Sequence, residues 1–422
     1  MGCGYSPFIF EKALLLYMEE FKIIKLPTKD QEETQDKEPV LEEKMEDDDY
    51  TPPKKRYFVI VFLLLLAIGA FFVIKMTTCY EDYEVEKKWE RKDSAESSYY
   101  SYNNNLLKVS ADGIFHTTYD GSLIWNYTYD MTNPSIDISG DYIIVFDKKG
   151  TEVDIFSSKG FVKNLTTTTP IVDAKVASQG TVALMLEENT TSYIQMFDKN
   201  GDLLVSGELH HESSGFPVSM ALSSDATRLL LSIINVDDGE ISTKLVFYDF
   251  TSRGKEEQDN IAASQQYIGA LIPKVDFVSK DKAIAFSDSR IIIFNNNYKA
   301  TVAKDISVPS EMKSIFYNDT HFGYICETAT EGGTVVDQLN VYNLFGFRCI
   351  SKPIDSSYAN IQIMDNNEIY INNGKEVTLY NLQGFKKFTY TFEDVVYNLL
   401  PGATSKRYYL IGENKTEEIY LK

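Results

Sequence analysis

The sequence is poor in the residues that most often carry chemistry. Its 422 residues include four cysteines, four histidines and two tryptophans, and 41 lysines and arginines face 62 aspartates and glutamates. A net charge of −21 predicts no basic surface able to neutralise phosphates, so nucleic acid is not expected as a partner. Four cysteines are also too few for a disulfide-stabilised scaffold.

Motifs for metal binding and hydrolysis are missing as well. No H-x-x-x-H, C-x-x-C or G-x-S-x-G pattern occurs. The adjacent His210 and His211 would point to opposite faces of an extended strand, and we expect them at a strand end on the surface. The acidic run Asp237–Glu240 lacks the alternating ligands of a calcium loop and is expected to be a solvated turn. The sequence therefore assigns no catalytic, metal-binding or cofactor-binding residue, and no cofactor.

One long apolar run divides the chain. Tyr57–Ile74 (YFVIVFLLLLAIGAFFVI) holds eighteen residues without a charge, and as a helix it would cover ~27 Å, enough for a bilayer core. Lys54, Lys55 and Arg56 precede it and Lys75 follows, so the N-terminus is expected in the cytoplasm. A buried helix of a soluble core is the alternative, but such helices rarely exclude polar residues from every face. We predict a single-pass plasma-membrane protein whose transmembrane helix is residues 54–76.

A cleaved signal peptide fits this run poorly. The segment before it is too long for an n-region, and no A-x-A site follows. Residues 1–53 read instead as an acidic cytoplasmic tail that is mostly disordered, because Glu42–Asp49 and its surroundings cannot bury enough apolar surface. A solvated spacer is favoured over a signalling tail.

The tail opens with two weaker features. MGCGYS matches the myristoylation pattern, although a second anchor would be redundant with the apolar run. Phe8–Leu26 reads as a short amphipathic helix. Met18 offers another start, so whether residues 1–17 belong to the mature protein stays open.

Residues 77–98 are charged, and Glu84–Lys92 (EVEKKWERK) is capable of forming a short helix, so we expect a juxtamembrane stalk. Beyond it, residues 99–422 are rich in tyrosine, phenylalanine and β-branched residues, which is the composition of strands. Patterns for long helices are absent, and we predict an all-β extracytoplasmic domain.

This domain repeats one local pattern. Each unit has an apolar-aromatic pair or near-pair, then usually Asp or Asn, then a turn often closed by Gly. The aromatic positions lie 37 to 51 residues apart, the size of a four-stranded propeller blade. They are Tyr119, Phe156, Phe197, Tyr248, Phe294, Tyr342 and Tyr380.

The strands within a unit can be predicted. In the second unit they are Ser135–Ile138, Tyr142–Phe146, Glu152–Phe156 and Phe161–Leu165, separated by turns in which Gly supplies a positive φ. Seven units carry the turn, and residues 395–422 add three more strands without it. We therefore predict a β-propeller of about eight four-stranded blades, alternatively seven, with the segment Tyr99–Tyr102 helping to close the ring.

Two cysteines fall in one unit. Cys326 and Cys349 are placed on its second and fourth strands, ~9.6 Å apart and too distant for a disulfide. We predict two unpaired thiols.

Two stretches carry a resemblance. Pro217–Ser232 (PVSMALSSDATRLLLS) resembles the S-x-D-G-x-x-L strand-turn-strand of WD-repeat and TolB-type propellers, with Ala226 in place of the usual Gly. Asp120–Trp125 (DGSLIW) resembles the G-x-x-x-W ending of quinoprotein-like blades. Over residues 50–422 the chain is similar to an uncharacterised bacterial family of membrane-anchored propellers with a domain of unknown function, and Gly215–Phe250 is the most specific part. The resemblance implies fold and location, and no reaction.

Three functions follow as hypotheses. The first is a non-enzymatic binding or scaffold module of the cell envelope. The lipid bilayer would hold Tyr57–Ile74, and an envelope protein or glycan would bind at a propeller face, where Glu208–Phe216 and Asn235–Ser242 are the loops to test. The second is a quinoprotein-like or polysaccharide-acting enzyme, and the third a sensor that signals through the acidic tail.

Overall fold

A computed structural model describes residues 54–91, 97–237, 239–329, 332–354 and 358–422. The chain divides into two compact units, Met1–Leu63 and Leu64–Lys422, and the strands among these residues all belong to the second. The predicted acidic tail at residues 1–53, with its myristoylation pattern and its amphipathic helix Phe8–Leu26, lies outside the described residues.

The apolar run forms a single helix, α1 (Lys54–Thr77). Its large apolar side chains from Val59 to Met76 are 38–66 % exposed, and none of the apolar window is buried. A core helix of a soluble domain would be covered by other segments, which the described residues do not do. The length and composition of α1 are those of a membrane span, and a signal sequence near an N-terminus shares them.

The strands, numbered β1–β32 in chain order, form eight antiparallel four-stranded sheets within the described residues. Each sheet is a blade of a propeller, and its first strand lies innermost. The strands of blades 1 to 4 are β2 (Ser98–Tyr102), β3 (Asn105–Ser110), β4 (Gly113–Thr117), β5 (Leu123–Thr128); β6 (Pro134–Ser139), β7 (Tyr142–Asp147), β8 (Glu152–Ser157), β9 (Gly160–Thr166); β10 (Ile171–Val176), β11 (Val182–Glu188), β12 (Thr191–Phe197), β13 (Leu203–His210); and β14 (Phe216–Leu222), β15 (Arg228–Asp237), β16 (Glu240–Asp249), β17 (Ile261–Ile268).

The strands of blades 5 to 8 are β18 (Lys274–Ser279), β19 (Lys282–Phe286), β20 (Arg290–Asn295), β21 (Val302–Ser307); β22 (Met312–Tyr317), β23 (His321–Ala329), β24 (Val335–Asn343), β25 (Arg348–Ile354); β26 (Asn360–Ile363), β27 (Ile369–Asn372), β28 (Glu376–Tyr380), β29 (Lys386–Thr391); and β30 (Val396–Pro401), β31 (Arg407–Gly412), β32 (Lys415–Leu421), β1 (Tyr83–Glu90). A short helix, α2 (His211–Ser214), joins blades 3 and 4, and 3₁₀ turns at Gly254–Glu256 and Gln258–Asn260 follow β16.

Burial explains the hydrophobic pattern of the strands. The middle strands of a blade are covered on both faces by neighbouring blades, and so they are continuously apolar. In β20 the run Ile291–Phe294 is fully buried. The fourth strands lie at the rim, and in β13 only Val205 and Leu209 are half-buried, while the other residues of the strand are exposed. The predicted eight-bladed all-β propeller is confirmed, including the four strands of the second unit.

In blades 2 to 7 the repeated aromatic residue lies at a β-bulge between the third and fourth strands, whereas in blade 1 the bulge falls between His116 and Thr117, before Tyr119. The register shifts between Met196 and Phe197 in blade 3, and in the same way between Leu379 and Tyr380 in blade 7. The following polar residue then organises the turn: the Asp198 carboxylate accepts the backbone N–H groups of Asn200 and Asp202, each at 2.9 Å. The bulge turns the strand and the Asx-type contact closes the hairpin, so the same motif suits every blade whose third and fourth strands are joined by a short turn.

Blade 8 lacks this motif because its third and fourth strands come from opposite ends of the domain. β1 pairs antiparallel with β32, and Lys87 on β1 forms an ion pair with Glu418 at 2.9 Å. Our prediction of a helix at Glu84–Lys92 within a stalk over residues 77–98 is therefore wrong for Tyr83–Glu90. The segment Tyr99–Tyr102, expected to close the ring, belongs to β2, the inner strand of blade 1. Pairing with β32, which comes from the other end of the domain, overrides the helix propensity of the charged segment.

The alternating strand directions give the ring two faces. The turn face carries the turns between first and second strands and between third and fourth strands. The loop face carries the remaining connections. After α1 the chain runs along the turn face: the Asn381 side chain donates to the Met76 carbonyl at 2.8 Å, Tyr80 N–H donates to the Lys387 carbonyl at 2.8 Å, and Lys422 N–H donates to the Asp82 carbonyl at 2.9 Å.

Candidate functional site

A cavity of about 460 Å³ lies on the axis of the ring, against the inner strands of blades 1, 7 and 8. Its polar lining is engaged in closing the ring. The Gln362 amide donates to Asn398 Oδ1 at 3.1 Å, and the Asn398 amide donates to the Tyr99 carbonyl at 3.1 Å. These bonds join blade 7 to blade 8 and blade 8 to blade 1, so we assign this lining to the architecture.

Carboxylates occupy the equivalent inner-strand position in blades 2, 3 and 5. Asp137 accepts Lys175 Nζ at 3.2 Å and the Val176 N–H at 2.8 Å, and Tyr317 donates its hydroxyl to Asp276 at 2.6 Å. Burial alone would lower the pKa of Lys175, but Asp137 and further carboxylates outweigh it and raise that pKa. Burial and then Asp276 raise the pKa of the Tyr317 hydroxyl, which stays neutral. These contacts tie blade 2 to blade 3 and blade 5 to blade 6.

Sequence reasoning missed this inner set. Its signal is an acid between two apolar residues in the first strand of a unit, as in Ile-Asp-Ile (136–138), Val-Asp-Ala (172–174) and Val-Asp-Phe (275–277). No group of three or more His, Cys, Asp or Glu side chains placed to hold a metal ion occurs in the described part of the chain.

A larger cavity, of about 600 Å³, lies between blades 3 and 4 and is termed here the blade 3–4 cleft. One wall comes from β12 and β13 and the other from β15, β16 and the start of β17. Its lining is about equally polar and apolar. The lining residues are Ile194, Val205, Ser206, Gly207, Glu208, Leu209, Ser213, Ser214, Leu229, Ile233, Asn235, Lys244, Val246, Tyr248, Phe250, Asp259, Asn260 and Ile261.

Gly207 holds the middle of the cleft open. It pairs with Ile194 across the sheet, between the half-buried Val205 and Leu209, which line the same cleft. A Cβ atom built on Gly207 meets no atom within 4 Å, so a side chain here would enter free space. The outer edge of β13 is the end of its sheet. The cleft thus runs along an edge strand and has the shape of a site for an extended segment.

The two loops selected from the sequence meet at the loop-face end of this cleft. Gly215 has a φ of 86°, and a Cβ atom there would lie 2.1 Å from Asn235 Oδ1 and 2.6 Å from the Ile234 carbonyl. Only glycine permits this approach. Glu208, Ser213 and Ser214 of the loop Glu208–Phe216 line the cleft beside Asn235 of the loop Asn235–Ser242.

The adjacent histidines separate as the strand ends. His210 is exposed and lies 3.2 Å from Thr191 Oγ1. His211, the first residue of α2, is buried, contacts Ser192 Oγ at 2.9 Å and packs on the ring of Phe216. The expectation of a surface position is therefore wrong for His211, because the chain turns inward at α2.

The other candidates lie apart from the cleft lining. Asp237 pairs with Glu240 at the tip of the β15–β16 hairpin, and Asp238 lies outside the described residues. Cys326 and Cys349 are on the second and fourth strands of blade 6, as predicted, and both are free thiols.

The loop face carries exposed carboxylates around the whole ring. Five of them are on the connections of blades 3 and 4, beside the cleft: Glu187, Glu188, Glu208, Glu212 and Glu240. Others are on the remaining blades: Asp112, Asp288, Glu311, Glu327, Glu393, Asp394 and Glu413. Carboxylates beside a cleft that is partly apolar favour a segment that carries basic residues beside apolar ones.

Comparison with known proteins gives one match in sequence. A family model described as a family of unknown function (DUF5711) matches residues 75–421. No curated protein matches the chain significantly.

Several solved structures match at low identity. The Neurospora crassa Pan2 WD40 domain is 12 % identical, with 69 % of this chain and 88 % of that chain covered and a TM-score of 0.41. Sqt1 from Chaetomium thermophilum is 11 % identical, with 82 % and 99 % covered and a TM-score of 0.46. Chaetomium thermophilum Raptor is 7 % identical, with 81 % and 29 % covered and a TM-score of 0.44.

Proposed function

The chain belongs to the family of unknown function DUF5711, and we propose that it is a membrane-anchored binding module whose propeller holds a partner at the blade 3–4 cleft. It acts without catalysis, outside the plasma membrane, as a scaffold of the cell envelope. Its N-terminal tail lies in the cytoplasm, in accord with Lys54, Lys55 and Arg56 before the apolar run.

The observation that carries this proposal is the open cleft itself, whose apolar side chains are left partly uncovered. Its volume of about 600 Å³ is within the range of ligand-binding cavities. Val205, Leu209 and Tyr248 line it and remain partly exposed, although comparable side chains on the middle strands are buried between blades. Burying this surface under a partner would be favourable by ~25 cal/mol per Å² of apolar area.

The cleft fits an extended peptide better than a sugar. Strand β13 offers an unpaired backbone edge beside the cleft, so an incoming strand could pair with it while its alternate side chains enter the apolar floor. The acidic loop face favours basic residues in that segment. A protein of the envelope is therefore the proposed partner, and a glycan is the alternative.

The test fills the cleft without disturbing the fold. Gly207→Trp places a ring where no atom lies within 4 Å. Leu204→Trp is the matched control, because Leu204 is exposed on the same edge strand and is not part of the cleft lining. Cells producing the full-length chain are crosslinked, and partners are compared among wild type, the two variants and a deletion of residues 1–53.

We expect G207W to lose its main crosslinked partner while L204W and the tail deletion keep it. Equal partner sets for G207W and wild type would remove the cleft as the binding site. Loss of partners on tail deletion alone would favour a sensor that signals through the tail.

A further inference from the structure

Three phenylalanines are exposed on the turn face of blades 6 and 7. Phe345 and Phe347 are 72 % and 70 % exposed, and Phe385 is 41 % exposed. Their turns are held in shape: Asn343 Oδ1 accepts the N–H groups of Phe345 and Phe347, each at 3.0 Å. Large apolar side chains on a fixed turn, open to water, indicate a surface that is covered by something outside the ring.

The same turn in blade 3 shows that the scaffold does not require these side chains. Asp198 there accepts the N–H groups of Asn200 and Asp202, as Asn343 does for Phe345 and Phe347. The positions of Phe345 and Phe347 are thus filled by polar residues in blade 3, four blades away from blade 7 in a ring of eight. Leu203 and Leu204 are exposed in that blade, but they lie further along, within β13.

The phenylalanines lie beside the end of α1. In blade 7, Asn381 Oδ1 accepts the N–H of Phe385 at 3.0 Å, and its amide donates to the Met76 carbonyl at 2.8 Å. This turn also contacts blade 6, because Lys352 Nζ of blade 6 donates to the carbonyl of Gly384 in the blade 7 turn at 3.2 Å. The aromatic turns are therefore fixed next to the last apolar residues of α1.

We infer that Phe345, Phe347 and Phe385 insert into the surface of the bilayer that α1 spans, so that the ring rests on the membrane at blades 6 and 7. The inference rests on the anchoring proposed above. The end of a spanning helix lies at the headgroup level, where aromatic and basic residues collect, and Arg348 and Lys386 directly follow Phe347 and Phe385. The acidic loop face points the other way, which keeps its carboxylates from anionic lipids.

Depth-dependent quenching tests this contact. Full-length Phe347→Trp and Phe385→Trp are reconstituted into vesicles of phosphatidylcholine and phosphatidylglycerol in equal amounts, with or without brominated phosphatidylcholine. Asp202→Trp is the matched control at the same turn position in blade 3, and Val236→Trp reports the loop face. The wild-type signal of Trp89 and Trp125 is subtracted.

We expect bromine quenching of F347W and F385W to exceed that of D202W and V236W at least about twofold, because an interfacial side chain reaches the acyl boundary. Quenching of F347W by aqueous acrylamide should fall on reconstitution, which gives a second readout for the same site.

Two failures are distinguishable. Protein that does not float with vesicles after an alkaline wash overturns the anchoring and this inference with it. Protein that floats while F347W and D202W are quenched equally, or not at all, overturns the bilayer contact of blades 6 and 7 and leaves the anchoring intact.

Discussion

The two faces of the ring are built by different means. On the turn face, short Asx-type turns and buried polar contacts join neighbouring blades, and the same contacts continue to the end of α1. On the loop face, longer connections carry exposed carboxylates, and a glycine-dependent approach leaves a cleft open beside it. Under the two proposals made above, the turn face would meet a fixed partner, the bilayer, and the loop face an exchangeable one.

The largest effect is expected where the turn face is held by a buried ion pair. Glu368 of blade 7 pairs with Lys387 and also accepts the Tyr408 hydroxyl of blade 8; Tyr408 is fully buried, and the Glu368 and Lys387 side chains are only 12 % and 13 % exposed. Glu368→Ala leaves the Lys387 charge without its carboxylate and should lower the free energy of unfolding by ~3 kcal/mol.

Chemical denaturation of the full-length protein in detergent measures this. Asp365→Ala is the control, because Asp365 is an exposed carboxylate in the same turn and its loss should cost no more than ~0.5 kcal/mol. Equal stabilities for E368A and D365A would show that the contact between blades 7 and 8 does not depend on the Glu368–Lys387 ion pair.

The next effect probes the loop face at Gly215. Its φ of 86° disfavours any side chain, and a Cβ atom would collide with Asn235 Oδ1 and the Ile234 carbonyl. Gly215→Ala should therefore destabilise by ~2–3 kcal/mol and separate the two loops at the end of the cleft. Amide hydrogen exchange over residues 208–216 should rise with it. Gly207→Ala, at an unhindered position of the same cleft, should change neither the free energy of unfolding nor the exchange over residues 208–216. A similar loss of stability in G207A would contradict the view that Gly215 is needed for its close approach to Asn235.

The elements that sequence predicted are those specified locally. The aromatic residue, the polar turn residue and the glycine of each unit fix a bulge and a hairpin without help from distant residues, so strands and blade spacing followed from them. Ala226 illustrates the same point: it adopts a φ of 53° where the WD-repeat pattern has glycine. Eight blades were favoured because the strands after residue 395 needed a blade of their own.

What the sequence did not reveal depends on pairing at long range. Strand β1 looks helical by its own residues, and only β32, at the other end of the domain, makes it a strand. The blade 3–4 cleft likewise depends on Gly207, whose missing side chain matters only once blade 4 lies opposite. The loops Glu208–Phe216 and Asn235–Ser242 were selected as loops to test for partner binding, and they lie beside this cavity, but the cavity itself had no local signal.

A smaller effect is expected from acid, which should distinguish the Asp198 turn of blade 3 from the Asn343 turn of blade 6. The backbone N–H of Asp202, together with that of Asn200, lowers the pKa of the Asp198 carboxyl below its ordinary 3.8. Because the folded pKa is below the unfolded one, the stabilisation is complete above that ordinary value and is lost as the pH falls through the lowered one. The turn at residues 343–347 of blade 6 contains no side chain that titrates in this acidic range.

Amide exchange, corrected for its intrinsic pH dependence, should therefore lose protection at Asn200 and Asp202 in acid and keep it at Phe345 and Phe347. Asp198→Asn makes the blade 3 turn chemically like that of blade 6 and should abolish the difference. Loss of protection in both turns together would mean that acid acts on the whole blade.

The smallest effect on stability is expected at the phenylalanines themselves. Phe345 is 72 % exposed, whereas the preceding Leu344 is 8 % exposed and belongs to the core between blades 5 and 6. Phe345→Ser should change the free energy of unfolding in detergent by no more than ~0.5 kcal/mol, while Leu344→Ser should cost ~2–4 kcal/mol. Two neighbours on one turn would then differ because only one of them packs within the ring. If F345S lowered the free energy of unfolding as much as L344S, Phe345 would be a residue of the core. The turn face of blades 6 and 7 would then offer the membrane no more free apolar surface at this turn than blade 3 does.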